Sequence, residues 1–303
     1  MIADISRLKG SIPPLITPFR DGEVDYDAYA QLIAFQVANG SHGVLVNGTT
    51  AEPSTLTVRE RNRLVEIAVA TAAGRIAVVA ATGSQSLAET KALTAHAVET
   101  GVDALLIVTP YYIRPPQRGL IEYYLEVTKD TDLPWMIYHI PGRAAVQVEL
   151  ATVAELARRS PRFVGMKQAF NDLGFVTACL DVLPGFRVFV GLEELSFPML
   201  AIGAAGLMNA VGNLHPRILA DLCEAVWAGD LHRGRALHQR LFELNSAVFF
   251  DTNPIPIKYM MKKLGLLARN EHRLPMVPAT PELEKRLDGV LERCGFFSTS
   301  AQA

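Results

Sequence analysis

The chain has 303 residues, with 29 basic against 31 acidic side chains and a net charge of −2 at pH 7. That balance excludes an electrostatic footprint for nucleic acid or anionic membrane, and no apolar run reaches the ~20 residues needed to cross a bilayer, so the expected partner is a small molecule or a second copy of the chain. Cys179, Cys223 and Cys294 show neither zinc nor disulfide spacing, and the opening Met1–Arg7 lacks the layout of a signal peptide, so reduced thiols and a cytoplasmic location are expected.

Short apolar or β-branched runs alternate with amphipathic stretches as far as residue 228, the pattern of repeated strand–helix units on a parallel sheet. The pattern predicts strands at Ser11–Ile16, Gly43–Val46, Ile76–Ala81, Ala104–Val108, Trp135–Tyr138, Val164–Lys167, Arg187–Val190 and Gly206–Asn209. Helices are predicted between and after them at Tyr26–Ala38, Val58–Ala73, Leu87–Thr100, Gly119–Thr131, Val148–Arg158, Leu173–Val182, Leu195–Ile202 and Pro216–Ala228. Eight such units predict an α/β fold closed as a (β/α)₈ TIM barrel. No G-x-G-x-x-G follows the first strand, which removes the main support for an open dinucleotide-binding sheet. From residue 230 the pattern is helical only, so the predicted organisation is a catalytic barrel over 1–229 and a C-terminal helical extension over 230–303, with Ser298–Ala303 small, polar and frayed.

A (β/α)₈ barrel carries its chemistry at the C-terminal ends of its strands. Lys167 ends the apolar run Phe163-Val164-Gly165-Met166, where an ammonium group loses hydration; a lysine so placed can hold a neutral amine that attacks a carbonyl, or can pack its stem and extend its head to water. Strand two runs into Asn47-Gly48-Thr49-Thr50-Ala51-Glu52, a turn able to hold a carboxylate or to be a plain loop. Strand four ends in Thr109-Pro110-Tyr111-Tyr112 and strand five in Tyr138-His139-Ile140-Pro141-Gly142-Arg143, which offer phenols for proton transfer and a guanidinium fork for a carboxylate. His139 reads equally as packing or catalysis, and the Glu193-Glu194 pair either meets a substrate or caps the next helix. No carboxylate pair or metal cluster stands out.

In this order the motifs resemble the dihydrodipicolinate synthase and N-acetylneuraminate lyase family of pyruvate-dependent aldolases. The resemblance runs from Pro13-Pro14-Leu15-Ile16-Thr17-Pro18-Phe19 to Asn253-Pro254-Ile255-Pro256-Ile257-Lys258 and is closest to the synthases. It implies that Lys167 forms an imine with pyruvate and that Tyr138 shuttles protons. It further implies that Thr50 links Tyr138 to Tyr112, a tyrosine that reaches in from a neighbouring subunit of a homotetramer or dimer. Gly48, Thr49 and Thr50 would hold the pyruvate carboxylate, Arg143 would bind the carboxylate of aspartate semialdehyde, and neither metal nor organic cofactor is needed. The alternatives are an aldolase or dehydratase for another 2-keto acid, such as N-acetylneuraminate or a 2-keto-3-deoxy sugar acid, and a non-catalytic pyruvate-binding barrel.

Departures from the family pattern carry their own expectations. Ala51 stands for a glycine and predicts an altered turn. Gln168 stands for a glutamate and predicts a lost negative charge beside the imine, while His139 stands for an asparagine. Val58 and Arg61 stand for histidines of the lysine-regulated members, although Glu89 and Tyr111 match that regulatory pocket.

Overall fold

The computed structural model describes residues 5–296; the expectation of a frayed tail over 298–303 lies outside the described residues. Ten strands form: β1 (Gly10–Ser11), β2 (Phe19–Arg20), β3 (Glu23–Val24), β4 (Gly43–Val46), β5 (Ala77–Ala81), β6 (Ala104–Val108), β7 (Trp135–His139), β8 (Phe163–Gln168), β9 (Arg187–Val190) and β10 (Gly206–Leu207). Eight of them make one parallel sheet in the order β1-β10-β9-β8-β7-β6-β5-β4. The ring closes through the extended chain after β1, where Leu45 donates to the Pro13 carbonyl at 2.9 Å and Leu15 donates to the Leu45 carbonyl at 3.0 Å. The result is the predicted (β/α)₈ barrel.

The first strand is shorter than expected because Pro13 and Pro14 have no N–H to give to a ladder. Its pairing continues as a single bridge between Pro14 and Leu45. The antiparallel pair β2–β3 was not foreseen, although Asp21-Gly22 is a hairpin signal; both residues take positive φ, 54° and 83°.

Among the described residues twelve α-helices accompany the sheet: α1 (Tyr26–Ala38), α2 (Val58–Ala72), α3 (Leu87–Thr100), α4 (Gln117–Thr128), α5 (Pro141–Ala144), α6 (Leu150–Arg159), α7 (Leu173–Val182), α8 (Ser196–Ala201), α9 (Pro216–Trp227), α10 (Leu231–Ala247), α11 (Ile255–Lys263) and α12 (Pro281–Arg293). Local chemistry fixes their starts. Thr57 and Glu60 form a capping box for α2, and Ser86, Asp172 and Asp230 cap α3, α7 and α10.

Alternation along the strands divides the core in two. Leu45, Val79, Leu106, Met136, Tyr138 and Phe189 fill the barrel lumen, whereas Val44, Val46, Leu105, Ile107, Ile137, Met166 and Val190 face the helices. Leu241 and Leu244 of α10, Ile257 and Met260 of α11 and Leu287 and Leu291 of α12 join that outer layer. Among the described residues no helix is long and apolar enough to cross a membrane.

Candidate active site

Parallel pairing of β7 with β8 sets Tyr138 opposite Lys167, and pairing of β8 with β9 sets Lys167 opposite Phe189. Met166 faces the helices, so Lys167, one residue on, faces the lumen beside Tyr138. Lys167 is 3% exposed, and its Nζ lies 4.4 Å from the centroid of the Tyr138 ring, a cation–π contact. Gly191 makes room for it: a Cβ there would come within 2.9 Å of the lysine Cε. The amine is therefore held inside the barrel mouth rather than extended to bulk water.

The turn after β4 is a 3₁₀ segment, Thr49–Ala51, preceded by Gly48 in extended geometry and ended by Glu52 at φ 56°, ψ 45°. Ala51 does not carry the positive φ. Its place in the 3₁₀ segment suits an L residue, so alanine for glycine leaves the turn intact and the expected alteration is absent. Thr49 Oγ1 lies 3.3 Å from the Tyr138 hydroxyl, whereas Thr50 Oγ1 accepts from Asn253 Nδ2 at 2.9 Å. The hydroxyl linked to Tyr138 is thus that of Thr49, not that of Thr50: along a 3₁₀ turn adjacent side chains diverge by about 120°.

A cavity of ≈ 580 Å³ opens above these groups, lined by residues that include Gly48, Thr49, Tyr138, Arg143, Ala144 and Asn253. Tyr138, whose ring Lys167 Nζ touches, forms part of its wall. Arg143 sits on α5, a one-turn helix that the sequence pattern missed, started by Pro141 after the strand end. It is exposed at the cavity rim. Tyr112 is 84% exposed at φ 75° and is not brought to the cavity of its own chain, where Tyr111 stands instead.

His139 and Gln168 alternate with Tyr138 and Lys167 and so face outward. His139 Nδ1 lies 2.7 Å from Gln168 Oε1, and its Nε2 accepts the Val148 N–H at 3.2 Å, which puts the proton on Nδ1. Burial pushes the imidazole pKa down. The two departures from the family pattern therefore compensate each other behind the sheet and brace the chain that carries Arg143; Gln168 removes no charge from the lumen. Farther out, Arg61 is buried, donates to the carbonyls of Ala81 and Gly83 at 3.2 and 3.3 Å, and lies 3.5 Å from Glu89, so the pocket wall at this position already carries a cation paired with an acid.

The Glu193 side chain does not cap α8, the helix that follows it, and does not face solvent; it meets the first N–H of the Ala210–Asn213 turn. It is 2% exposed, and Oε1 accepts the Ala210 N–H at 2.6 Å while Oε2 is buried without a hydrogen bond. Burial pushes its pKa up from 4.5 to about 7, partly offset by that N–H and by the charge of Lys167. Between those values the folded chain holds a proton that the unfolded chain has released, so stability falls as pH rises from 4.5 to about 7, by roughly 3 kcal/mol in all. Glu193→Gln should remove this slope. Thermal melts from pH 4.5 to 8 are expected to show the parent losing stability relative to the variant across the window; parallel curves would refute the assignment.

Comparison with known proteins agrees with this geometry. The Dihydrodipicolinate synthetase family profile matches residues 7–294. The 4-hydroxy-tetrahydrodipicolinate synthase of Thermus thermophilus is 44% identical over 297 residues, covering 97% of this chain and 99% of that protein. The structure of dihydrodipicolinate synthase from Aquifex aeolicus superposes with a TM-score of 0.92 at 41% identity, over 94% of this chain and 97% of that one. The chloride-inhibited dihydrodipicolinate synthase from Acinetobacter baumannii, complexed with pyruvate, superposes with a TM-score of 0.92 at 32% identity, over 95% and 99%. A lumenal lysine against a tyrosine, a Gly-Thr-Thr turn at the barrel mouth and a match along nearly the whole sequence have one common explanation: the chain belongs to the dihydrodipicolinate synthetase family.

Proposed function

We propose that the protein is a class I aldolase-type lyase that condenses pyruvate with aspartate semialdehyde to 4-hydroxy-tetrahydrodipicolinate. The observation that carries this reading is Lys167, buried in the lumen against Tyr138, in a chain 44% identical to a protein of that named activity. The neutral Lys167 amine adds to the ketone of pyruvate; loss of water gives an iminium ion, and loss of a methyl proton gives an enamine, the nucleophile that attacks the aldehyde.

Gly48, Thr49 and Thr50 are assigned to the pyruvate carboxylate. The first N–H groups of a 3₁₀ turn have no acceptor within the turn and lie beside the Thr49 hydroxyl, a suitable cradle for an anion. The Tyr138 hydroxyl, hydrogen-bonded to Thr49, moves protons to and from the carbon under attack. Tyr112 extends this relay in a second copy of the chain, which accounts for an aromatic residue 84% exposed at positive φ; the assembly proposed is a homotetramer built from such pairs.

Arg143, at the cavity rim, takes the carboxylate of the aldehyde. Arg143→Ala is expected to lower kcat/KM for aspartate semialdehyde roughly 10- to 100-fold while leaving imine formation with pyruvate unchanged. Steady-state kinetics and borohydride trapping on the same variant check this; equal loss in both would give Arg143 a different role. The substrate assignment is tested by assaying the purified protein with pyruvate and a panel of aldehydes, and with intact 2-keto acids in the cleavage direction. Aspartate semialdehyde is expected to be the best acceptor, and faster turnover of N-acetylneuraminate or a 2-keto-3-deoxy sugar acid would replace the reading.

A further inference from the structure

The reaction uses neither Glu52 nor Lys258, yet both are buried as charges. Lys258, on α11, is 0% exposed; its Nζ donates to Glu52 Oε1 at 2.8 Å and to the Glu271 carbonyl at 2.5 Å, and lies 4.5 Å from the centroid of the Phe19 ring. The other carboxylate oxygen of Glu52 meets His272 Nδ1 at 3.2 Å, with the His272 side chain 0% exposed. Burial pushes the Lys258 pKa down and the Glu52 charge pulls it back. A buried ion pair adds little net stability compared with apolar packing, so stability alone does not account for it.

Its position does. Glu52 is the left-handed residue that ends the Thr49–Ala51 turn, and Asn47 on the other side is also left-handed, φ 59°. Neither is glycine, so the surroundings must hold both ends of the turn in a disfavoured conformation. The C-terminal segment grips the turn at Thr50 through Asn253 and at Glu52 through Lys258 and His272, while Thr17 Oγ1 donates to the Ala51 carbonyl at 2.7 Å.

We infer that the buried Lys258–Glu52–His272 cluster is a positioning device for the keto-acid turn, so that pyruvate affinity is set in part by Lys258 and His272, two buried C-terminal residues outside the cavity wall. This rests on the reading that the turn holds the pyruvate carboxylate. In that reading, displacing the turn weakens the grip on the carboxylate and spares the chemistry once the imine has formed.

The test uses the full-length protein and its Lys258→Met and His272→Ala variants. It measures the pyruvate concentration that half-saturates borohydride trapping on Lys167, together with KM for each substrate, kcat and melting temperature. The expected result is a rise of about tenfold or more in half-saturating pyruvate for Lys258→Met and a smaller rise for His272→Ala, with kcat and the aldehyde KM within about threefold of the parent. Unchanged pyruvate affinity in a folded variant overturns the inference, and so does a lowered melting temperature with all kinetic constants falling together. Should Lys258→Met fail to fold, His272→Ala decides alone: a selective pyruvate shift supports the device and no shift overturns it. Failure of the parent protein itself to trap pyruvate would instead remove the underlying reading of the turn.

Discussion

Lys167→Met is expected to abolish turnover, lowering kcat by about 10⁴-fold or more, because methionine keeps the length and apolar stem of the side chain and removes only the amine that bonds to the ketone. The same change should not lower the melting temperature. Lys167 is 3% exposed and its Nζ lies over the face of the Tyr138 ring; among the described residues no salt bridge joins it, so its replacement leaves no carboxylate unpaired. Kinetics and a thermal melt on one preparation separate the two effects. An inactive variant that has also lost several degrees would make the lysine a structural residue, and retained turnover would place the nucleophile elsewhere.

Tyr138→Phe carries the second large effect. The ring stays, and with it the wall of the cavity and the packing against Met136 and Phe189 in the lumen; only the hydroxyl that lies 3.3 Å from Thr49 Oγ1 is lost. Its stability cost is small, ~1 kcal/mol, since Thr49 is half-exposed and can turn to water. Under the proposed role of Tyr138, proton transfer at the imine carbon is expected to lose its relay, lowering kcat by roughly 10²- to 10⁴-fold. Rapid-quench measurement should find imine formation slowed along with overall turnover, and KM for the aldehyde little changed. A kcat within a few-fold of the parent would mean that water or Thr49 alone moves the proton.

The barrel was legible in the sequence because its signals are local and repeated. Apolar runs of strand length alternate with helical stretches that begin at Asp25, Thr57, Ser86 and Asp172, all capping residues. Lys167 was legible for a related reason: a cation at the end of Phe163-Val164-Gly165-Met166 contradicts its surroundings. Relations that depend on facing and on distance in the chain were harder. Whether Thr49 or Thr50 meets Tyr138 is decided by the direction of one side chain in a 3₁₀ turn, and residue type says nothing about it.

Gln168 and His139 read as changes at the substrate end, yet period-two alternation sends both behind the sheet, and applying that alternation strictly from Lys167 and Tyr138 would have shown this. Lys258 was passed over because a lysine in a helix normally reaches water. Its partners, Glu52 and the Glu271 carbonyl, are 206 and 13 residues away in the chain, and no local pattern joins them.

The central claim is a covalent bond between Lys167 and a keto acid. Incubating the protein with pyruvate, reducing with borohydride and mapping the peptides by mass spectrometry addresses it directly: the account predicts a pyruvate-derived mass on the peptide containing Lys167 and none in Lys167→Met. An unmodified Lys167, or an adduct on Lys258 or another lysine, would contradict it.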